Sequence, residues 1–236
     1  MILRGLKSRI LIYLYQKTMI YSRTLRSSFA LLLLGILANC VAPVKTQTSH
    51  FLAYFKTSIV ADTLHIEVLN EAQEPRDTIP NHVFFTSLPA GLLQQIDYLA
   101  DSSSAVVLSR QQFPIDDNIS AFWVEIHQAW FLHHSLFLYN KSKRQFTDRI
   151  TVAEWFGGDG SQVLIGSWVF DYDGDGKKDL VVRDIQHSMV PNGDEDPIEE
   201  TNESACLLLW KNGRFMDTSF QDTTAMVLRF PIRSFW

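Results

Sequence analysis

Residues 171–180, DYDGDGKKDL, carry carboxylates at a spacing that could bind a hard cation. Counted from the first aspartate, acids occupy positions one, three, five and nine and a glycine occupies position six: Asp171, Asp173, Asp175, Asp179 and Gly176. Alternate residues of a tight loop point inward, calcium takes six to eight oxygen ligands, and glycine permits the sharp turn that presents the carbonyl of position seven. The spacing therefore predicts one calcium ion, bound by the four aspartates and the backbone carbonyl of Lys177.

Three alternatives compete with a calcium site at these carboxylates. In a metal-free solvated turn the carboxylates would repel one another, and each pair would cost a fraction of about 1 kcal/mol in water. That cost is tolerable, so the spacing favours calcium but does not exclude such a turn. A catalytic pair is disfavoured, because glycosidase acids occupy separate environments whereas these share one loop. Magnesium is also disfavoured, since it resists dehydration by a cage made only of protein ligands.

The longer stretch VFDYDGDGKKDLVVRD, residues 169–184, resembles the calcium loops of FG-GAP or VCBS repeats, the repeats of integrin α-subunits. Position twelve is Val182 instead of the bidentate glutamate of an EF-hand, and the loop runs directly into a strand pattern. The resemblance implies that the loop joins two strands and that its calcium is structural. It covers these residues and, loosely, the hairpin after them. With a single such loop in the chain, a complete propeller ring is not implied.

The elements around this loop are predicted to be mainly β. Residues 63–71, TLHIEVLNE, alternate apolar and polar side chains with the period of two that a half-buried strand requires. Six further segments rich in β-branched and aromatic residues predict strands: residues 104–110, 121–130, 135–141, 161–170, 179–185 and 205–211. Recurrent turn residues between them favour antiparallel sheets, partly propeller-like or sandwich-like, over alternating strands and helices.

Four other segments carry local predictions. Residues 136–148 and 207–217 are each predicted to form a β-hairpin, the second through the turn-forming pair Asn212-Gly213. Residues 88–100 are the one predicted helix. Residues 191–204, PNGDEDPIEETNES, predict a long acidic solvated loop, with contact to a basic partner as the functional alternative.

The N-terminal region predicts export and lipid anchoring. Residues 23–40, RTLRSSFALLLLGILANC, combine basic residues with an apolar run that is shorter than the roughly 20 residues of a membrane span. The run ends at Cys40 in a segment that resembles the lipobox of bacterial lipoproteins, although Asn39 departs from the small residue usual there. Residues 1–39 are thus predicted as a signal peptide, 40–50 as a lipidated tether and 51–236 as a single β-rich domain; an uncleaved anchor stays open. Residues 1–18 are read as an over-extended start, because Met19 begins a signal of ordinary length.

Charge and motif content limit the classes of function. Residues 1–39 carry six basic residues and no acid, so removing them from the net charge of −5 leaves −11 for the remainder. Nucleic-acid binding requires basic surface, so a nucleic-acid partner is excluded. No nucleophile elbow, phosphate-binding loop or His-Glu-x-x-His motif occurs. His133 and His134 are adjacent and would point to opposite faces of a strand, and Cys206 is predicted to be a buried, inert thiol.

These observations predict a calcium-stabilised, non-enzymatic binding lipoprotein of the bacterial outer membrane. It would be tethered through lipid on Cys40, face the periplasm or the exterior, and bind a protein or an envelope glycan. The alternative is an inhibitor or immunity protein against a peptidoglycan hydrolase, because many such hydrolases are basic and an acidic partner would meet them faster. Failure to slow any muramidase or amidase would contradict that alternative.

Overall fold

The computed structural model describes residues 44–57, 62–68, 77–97, 99, 104–158, 160–193, 195–218 and 223–233. The helices are α1 Val44–Leu52, α2 Asn81–Ser87, α3 Ala90–Leu93 and α4 Thr223–Arg229. The strands are β1 Thr63–Glu67, β2 Asp77–Ile79, β3 Val106–Pro114, β4 Ile119–Gln128, β5 Phe131–Asn140, β6 Gln145–Gly158, β7 Ser161–Phe170, β8 Asp179–Asn192, β9 Glu195–Lys211 and β10 Arg214–Asp217.

The strands form one antiparallel sheet in which neighbours in sequence are neighbours in space. Its order from β10 down to β2 follows the chain without a crossover, and β1 pairs with β7 off this path. Short connections between consecutive strands favour such a meander, because each turn brings the next strand back beside the last. The prediction of a mainly β, antiparallel fold is confirmed, although the described residues form four short helices where one was predicted. In the described part of the chain the sheet does not close into a barrel.

The sheet divides between β6 and β7. Strand β6 pairs with β5 from Gln145 to Trp155 but with β7 only from Glu154 to Gly158. Strand β1 takes over the edge of β7 at the point where β6 departs, pairing with residues 166–170. The sheet can therefore fold into two halves that face each other across a core.

Two hydrophobic cores lie on opposite faces of β3–β6. Helices α1–α3 cover one face, where Phe51, Phe84 and Phe137 are fully buried. The other face packs against β1 and β7–β9 and encloses Leu136 and Trp210. Alternation along the strands produces this division, because successive side chains point to opposite faces. A smaller cluster lies under α4, which packs against β8 and β9.

The structure confirms some of the local predictions and contradicts others. The hairpin at residues 207–217 is present as β9–β10, and Asn212 and Gly213 both have the positive φ, 55° and 76°, that its two-residue turn requires. The helix predicted over residues 88–100 is reduced to Ala90–Leu93. The long acidic loop predicted over residues 191–204 is wrong, because most of it lies in β9 and pairs with β8. Residues 44–50 of the predicted tether belong to α1.

Candidate metal centre

The predicted calcium loop connects two paired strands. Strand β7 ends at Phe170 and β8 begins at Asp179, its partner in the ladder, so residues 171–178 cross between adjacent strands. Gly176 has a φ of 81°, a backbone conformation that residues with a side chain rarely adopt. The Asp171 carboxylate accepts backbone hydrogen bonds from Gly174 at 2.8 Å and Asp175 at 3.1 Å through Oδ1, and from Gly176 at 2.9 Å through Oδ2. The loop is thus wrapped around its first aspartate.

Asp179 is the buried end of the centre. Its side chain is inaccessible to solvent, and each oxygen accepts one backbone N–H: Oδ1 from Trp210 at 2.7 Å and Oδ2 from Tyr172 at 2.9 Å. A buried carboxylate requires such partners, because its desolvation is otherwise costly. Asp179 therefore ties the loop to β8 and β9 and holds its carboxylate in one orientation.

Three of the four predicted acidic ligands converge. Asp171, Asp173 and Asp179 each offer an oxygen, and these oxygens lie within 4.8 Å of one another. Three carboxylates at this separation repel, and a cation between them would remove that repulsion. An all-oxygen set of anionic donors suits a hard ion such as calcium better than a transition metal. The residues present therefore fit the predicted ion.

Asp175, the fourth predicted acidic ligand, and Lys177 contact each other beside the cluster of three. The Asp175 carboxylate faces two ammonium groups, Lys177 Nζ at 2.9 Å and Lys211 Nζ at 3.2 Å, and stands outside the cluster of three. The hydrogen bond from Lys177 is the main reason that the pKa of Asp175 falls to about 2. Lys177 also donates its backbone N–H to Asp175 Oδ1 at 3.0 Å, so its backbone and its side chain both contact this carboxylate.

Lys211 is a neighbour of the centre that the sequence did not indicate. It lies on β9 and its Nζ is 2.6 Å from Asp173 Oδ2, a contact that raises the pKa of the lysine. Its ammonium compensates part of the negative charge of the loop. A cation entering beside Asp173 would therefore compete with Lys211 for that carboxylate.

The β3–β4 turn completes the surroundings of the loop. Asp116 accepts the indole N–H of Trp210 at 2.7 Å, and the backbone N–H of Lys178 donates to Ile115 O at 3.1 Å. A hollow of about 310 Å³ lies between this turn and the calcium loop, lined by both lysines of the loop and three acids. Nothing in the sequence showed that this turn meets the loop.

A second polar constellation, also missed, lies between β5 and β6. His133 Nε2 lies 2.6 Å from Ser135 Oγ, and its Nδ1 lies 2.7 Å from Glu154 Oε2. Arg149 contacts both His133 Nε2, at 3.1 Å, and Ser135 Oγ, at 3.0 Å. Since arginine only donates, the proton of the neutral imidazole lies on Nδ1 and is donated to Glu154.

The order of groups in this constellation is that of a hydrolytic triad, but its burial argues against that role. Ser135 is 0% and His133 1% exposed, and the serine oxygen is already engaged by His133 and Arg149. A nucleophile must reach the reacting carbon of a substrate. Burial also lowers the pKa of His133, so the group behaves as a buried polar network inside the core, in which Arg149 Nε has no hydrogen-bond partner.

His134 faces the opposite side of β5, as the sequence predicted. It accepts the indole N–H of Trp123 at 3.0 Å, and burial lowers its pKa to about 3. Glu125 lies nearby, paired with Arg110 and His127. The two adjacent histidines therefore belong to separate networks and cannot jointly bind one metal ion.

The predicted lipidation site, Cys40, and the predicted signal peptide, residues 1–39, lie outside the described residues. Cys206 is half-buried rather than fully buried. Burial is the main cause that raises its pKa to about 11, and its thiol donates to Asp217 at 3.2 Å, so little reactive thiolate forms. Within the described ranges, no helix is both long enough and apolar enough to cross a membrane.

Comparison with known proteins returned no matching family model, no matching curated protein and no matching solved structure.

Proposed function

We propose that this protein is a calcium-stabilised, non-enzymatic binding lipoprotein of the bacterial envelope. The observation that carries the proposal is the convergence of Asp171, Asp173 and Asp179 in a loop that joins two paired strands. An ion bound there would tie the β7–β8 connection to β9 through Asp179 and Trp210. We expect its role to be structural, because Asp179 already joins the loop to β8 and β9 through backbone hydrogen bonds.

Calcium is therefore expected to stabilise the fold. Free calcium at about 100 times its Kd contributes about 2.7 kcal/mol of unfolding free energy, provided that only the folded chain binds it. Calorimetric titration and thermal melts of the full chain, with calcium and with a chelator, measure the two effects. Asp173→Asn removes one ligand and is expected to weaken calcium binding by about tenfold or more.

Asp77→Asn is the matched control, because it removes the same charge from exposed β2, away from the loop. It should leave calcium affinity unchanged. Absence of binding at millimolar calcium, with the melt unaltered by the chelator, would refute the metal site. Equal weakening by Asp77→Asn would show that the effect reflects overall charge.

The lipoprotein part of the proposal has its own measurement. If Cys40 is lipidated, the protein should partition with membranes after expression in a bacterial host, and Cys40→Ser should release it into the soluble fraction. Cys206→Ser is the matched control, since that thiol lies in the folded domain against Asp217. Membrane retention of Cys40→Ser would contradict anchoring through this cysteine.

A further inference from the structure

Strands β8 and β9 extend beyond the rest of the sheet as a two-stranded arm. The β7–β8 ladder begins at Ser161↔Ser188, whereas the β8–β9 ladder continues past that point to Asn192↔Glu195. Most of the arm lies within residues 191–204, which the sequence had predicted to be a loop. It lies at the opposite end of β8 from the aspartate loop.

The outer edge of β9 is unpaired along this arm. Strand β10 pairs only with Leu208–Lys211. Nearer the arm, Arg183 donates to Ser204 O and to Glu203, beside α4, and closes the edge there. Towards the tip, Pro197 has no N–H to offer. Within the described chain, no strand lies along the outer side of residues 198–202, which we call the β9 edge.

The β9 edge is accessible and offers hydrogen-bonding groups. Every residue from 196 to 204 is exposed, and Ile198 keeps 51% of its surface accessible. In an antiparallel strand, alternate residues direct both N–H and C=O to the same side, so an outer edge presents a row of donors and acceptors. Such an edge is a template onto which another extended chain can pair.

Charge decides which chain can pair there. Residues 184–204 contain no lysine or arginine and have seven acids: Asp184, Asp194, Glu195, Asp196, Glu199, Glu200 and Glu203. A second copy would bring the same acids opposite one another, and like charges directly across a ladder are destabilising. An extended segment with basic side chains would instead be attracted, while Ile198 could contact its aliphatic residues.

We propose that the β9 edge binds an extended basic segment of a partner protein, which adds to the sheet as a further strand. The proposal rests on the binding role proposed above but uses a surface separate from the calcium loop. Backbone hydrogen bonds would supply the pairing and the acids would select the partner's charge. Binding is therefore expected to weaken with added salt, since exposed charges are screened.

The test uses the purified full chain and a short labelled peptide that alternates lysine with valine. Fluorescence anisotropy should show binding, whereas the same peptide N-methylated at its central residues should fail, because it keeps the charge but loses the ladder. The double variant Glu199→Gln/Glu200→Gln should weaken the wild-type interaction about fivefold at low salt. Asp62→Asn/Asp77→Asn, with the same charge change elsewhere on the surface, should leave it unchanged.

Several results would overturn the proposal. Equal binding of the N-methylated peptide, or equal weakening by the control variant, would reduce the effect to general electrostatic attraction. Absence of peptide binding would also refute it. A dimer that forms through this edge and excludes the peptide would make a second copy the occupant.

Calcium titration of the same samples separates this proposal from the metal site. Peptide binding without calcium binding would refute the metal site alone, and calcium binding without peptide binding would refute the β9 edge alone.

Discussion

Asp179 combines two roles that can be separated by mutation. Its carboxylate belongs to the candidate metal centre, and it also accepts the buried backbone N–H of Trp210 and that of Tyr172. Asp173 belongs to the same cluster but is exposed, where it contacts Lys211. The two aspartates should therefore differ in what they contribute when no calcium is bound.

Asp179→Ala is expected to destabilise the chelator-treated protein by about 2–5 kcal/mol, because it leaves two backbone donors without their acceptor. Asp173→Asn should change the free energy of unfolding by less than about 0.5 kcal/mol under the same conditions, since it alters only a surface pair. Urea unfolding in the chelator measures both. Equal losses for the two variants would contradict the structural role assigned to Asp179.

The residues of the candidate centre were predictable only in part. The spacing of the aspartates along one short loop is local information, so Asp171, Asp173 and Asp179 could be named from it. The contributions of Lys211 and Asp116 depend on how distant strands pair, which spacing does not encode. The same holds for Ser135, His133 and Glu154, because β5 and β6 must align before these groups meet.

At the scale of elements, the sequence predicted strands better than it predicted how they pair or where the connections lie. Strand β1 alternates and was recognised, but its place beside β7, about a hundred residues later, came only from the structure. The β9 half of the arm was predicted to be a loop because it has no buried face, residues 196–204 all being exposed. Such a strand has no apolar face, and its acids, asparagines and prolines match the composition of a loop.

Helix α1 shows the opposite difficulty. Its first seven residues, VKTQTSH, are mostly polar and were predicted to belong to the tether. Phe51 anchors it, packing at ring-centroid distances of 5.5 Å from Phe146 and 6.3 Å from Phe84. A single buried aromatic contributes more than the weak helix propensity of the segment. The folded domain therefore begins within the segment that composition assigned to the linker.

At the scale of the whole molecule, two buried histidines make stability depend on pH. Burial is the main cause that lowers the pKa of each, to about 3 for His134. His133 faces Glu154, Arg149 and Asp97, and His134 faces Glu125, Arg110 and His127. In the unfolded chain both return to a pKa near 6.5. The unfolded state therefore binds more protons than the folded state below that pH, and stability falls as the solution is acidified.

Between pH 7 and pH 5, His134 alone should cost the fold about 2 kcal/mol, because its folded pKa lies below that window and its unfolded pKa within it. Most carboxylates titrate below this range, so a chelator-treated sample isolates the histidines. His134→Asn keeps an acceptor for Trp123, and its loss of unfolding free energy between the two pH values should be smaller by that amount. The exposed His82→Asn serves as control and should follow the wild type. Urea melts at both pH values decide the matter: an unchanged pH dependence in His134→Asn would mean that this histidine is not neutral in the folded core.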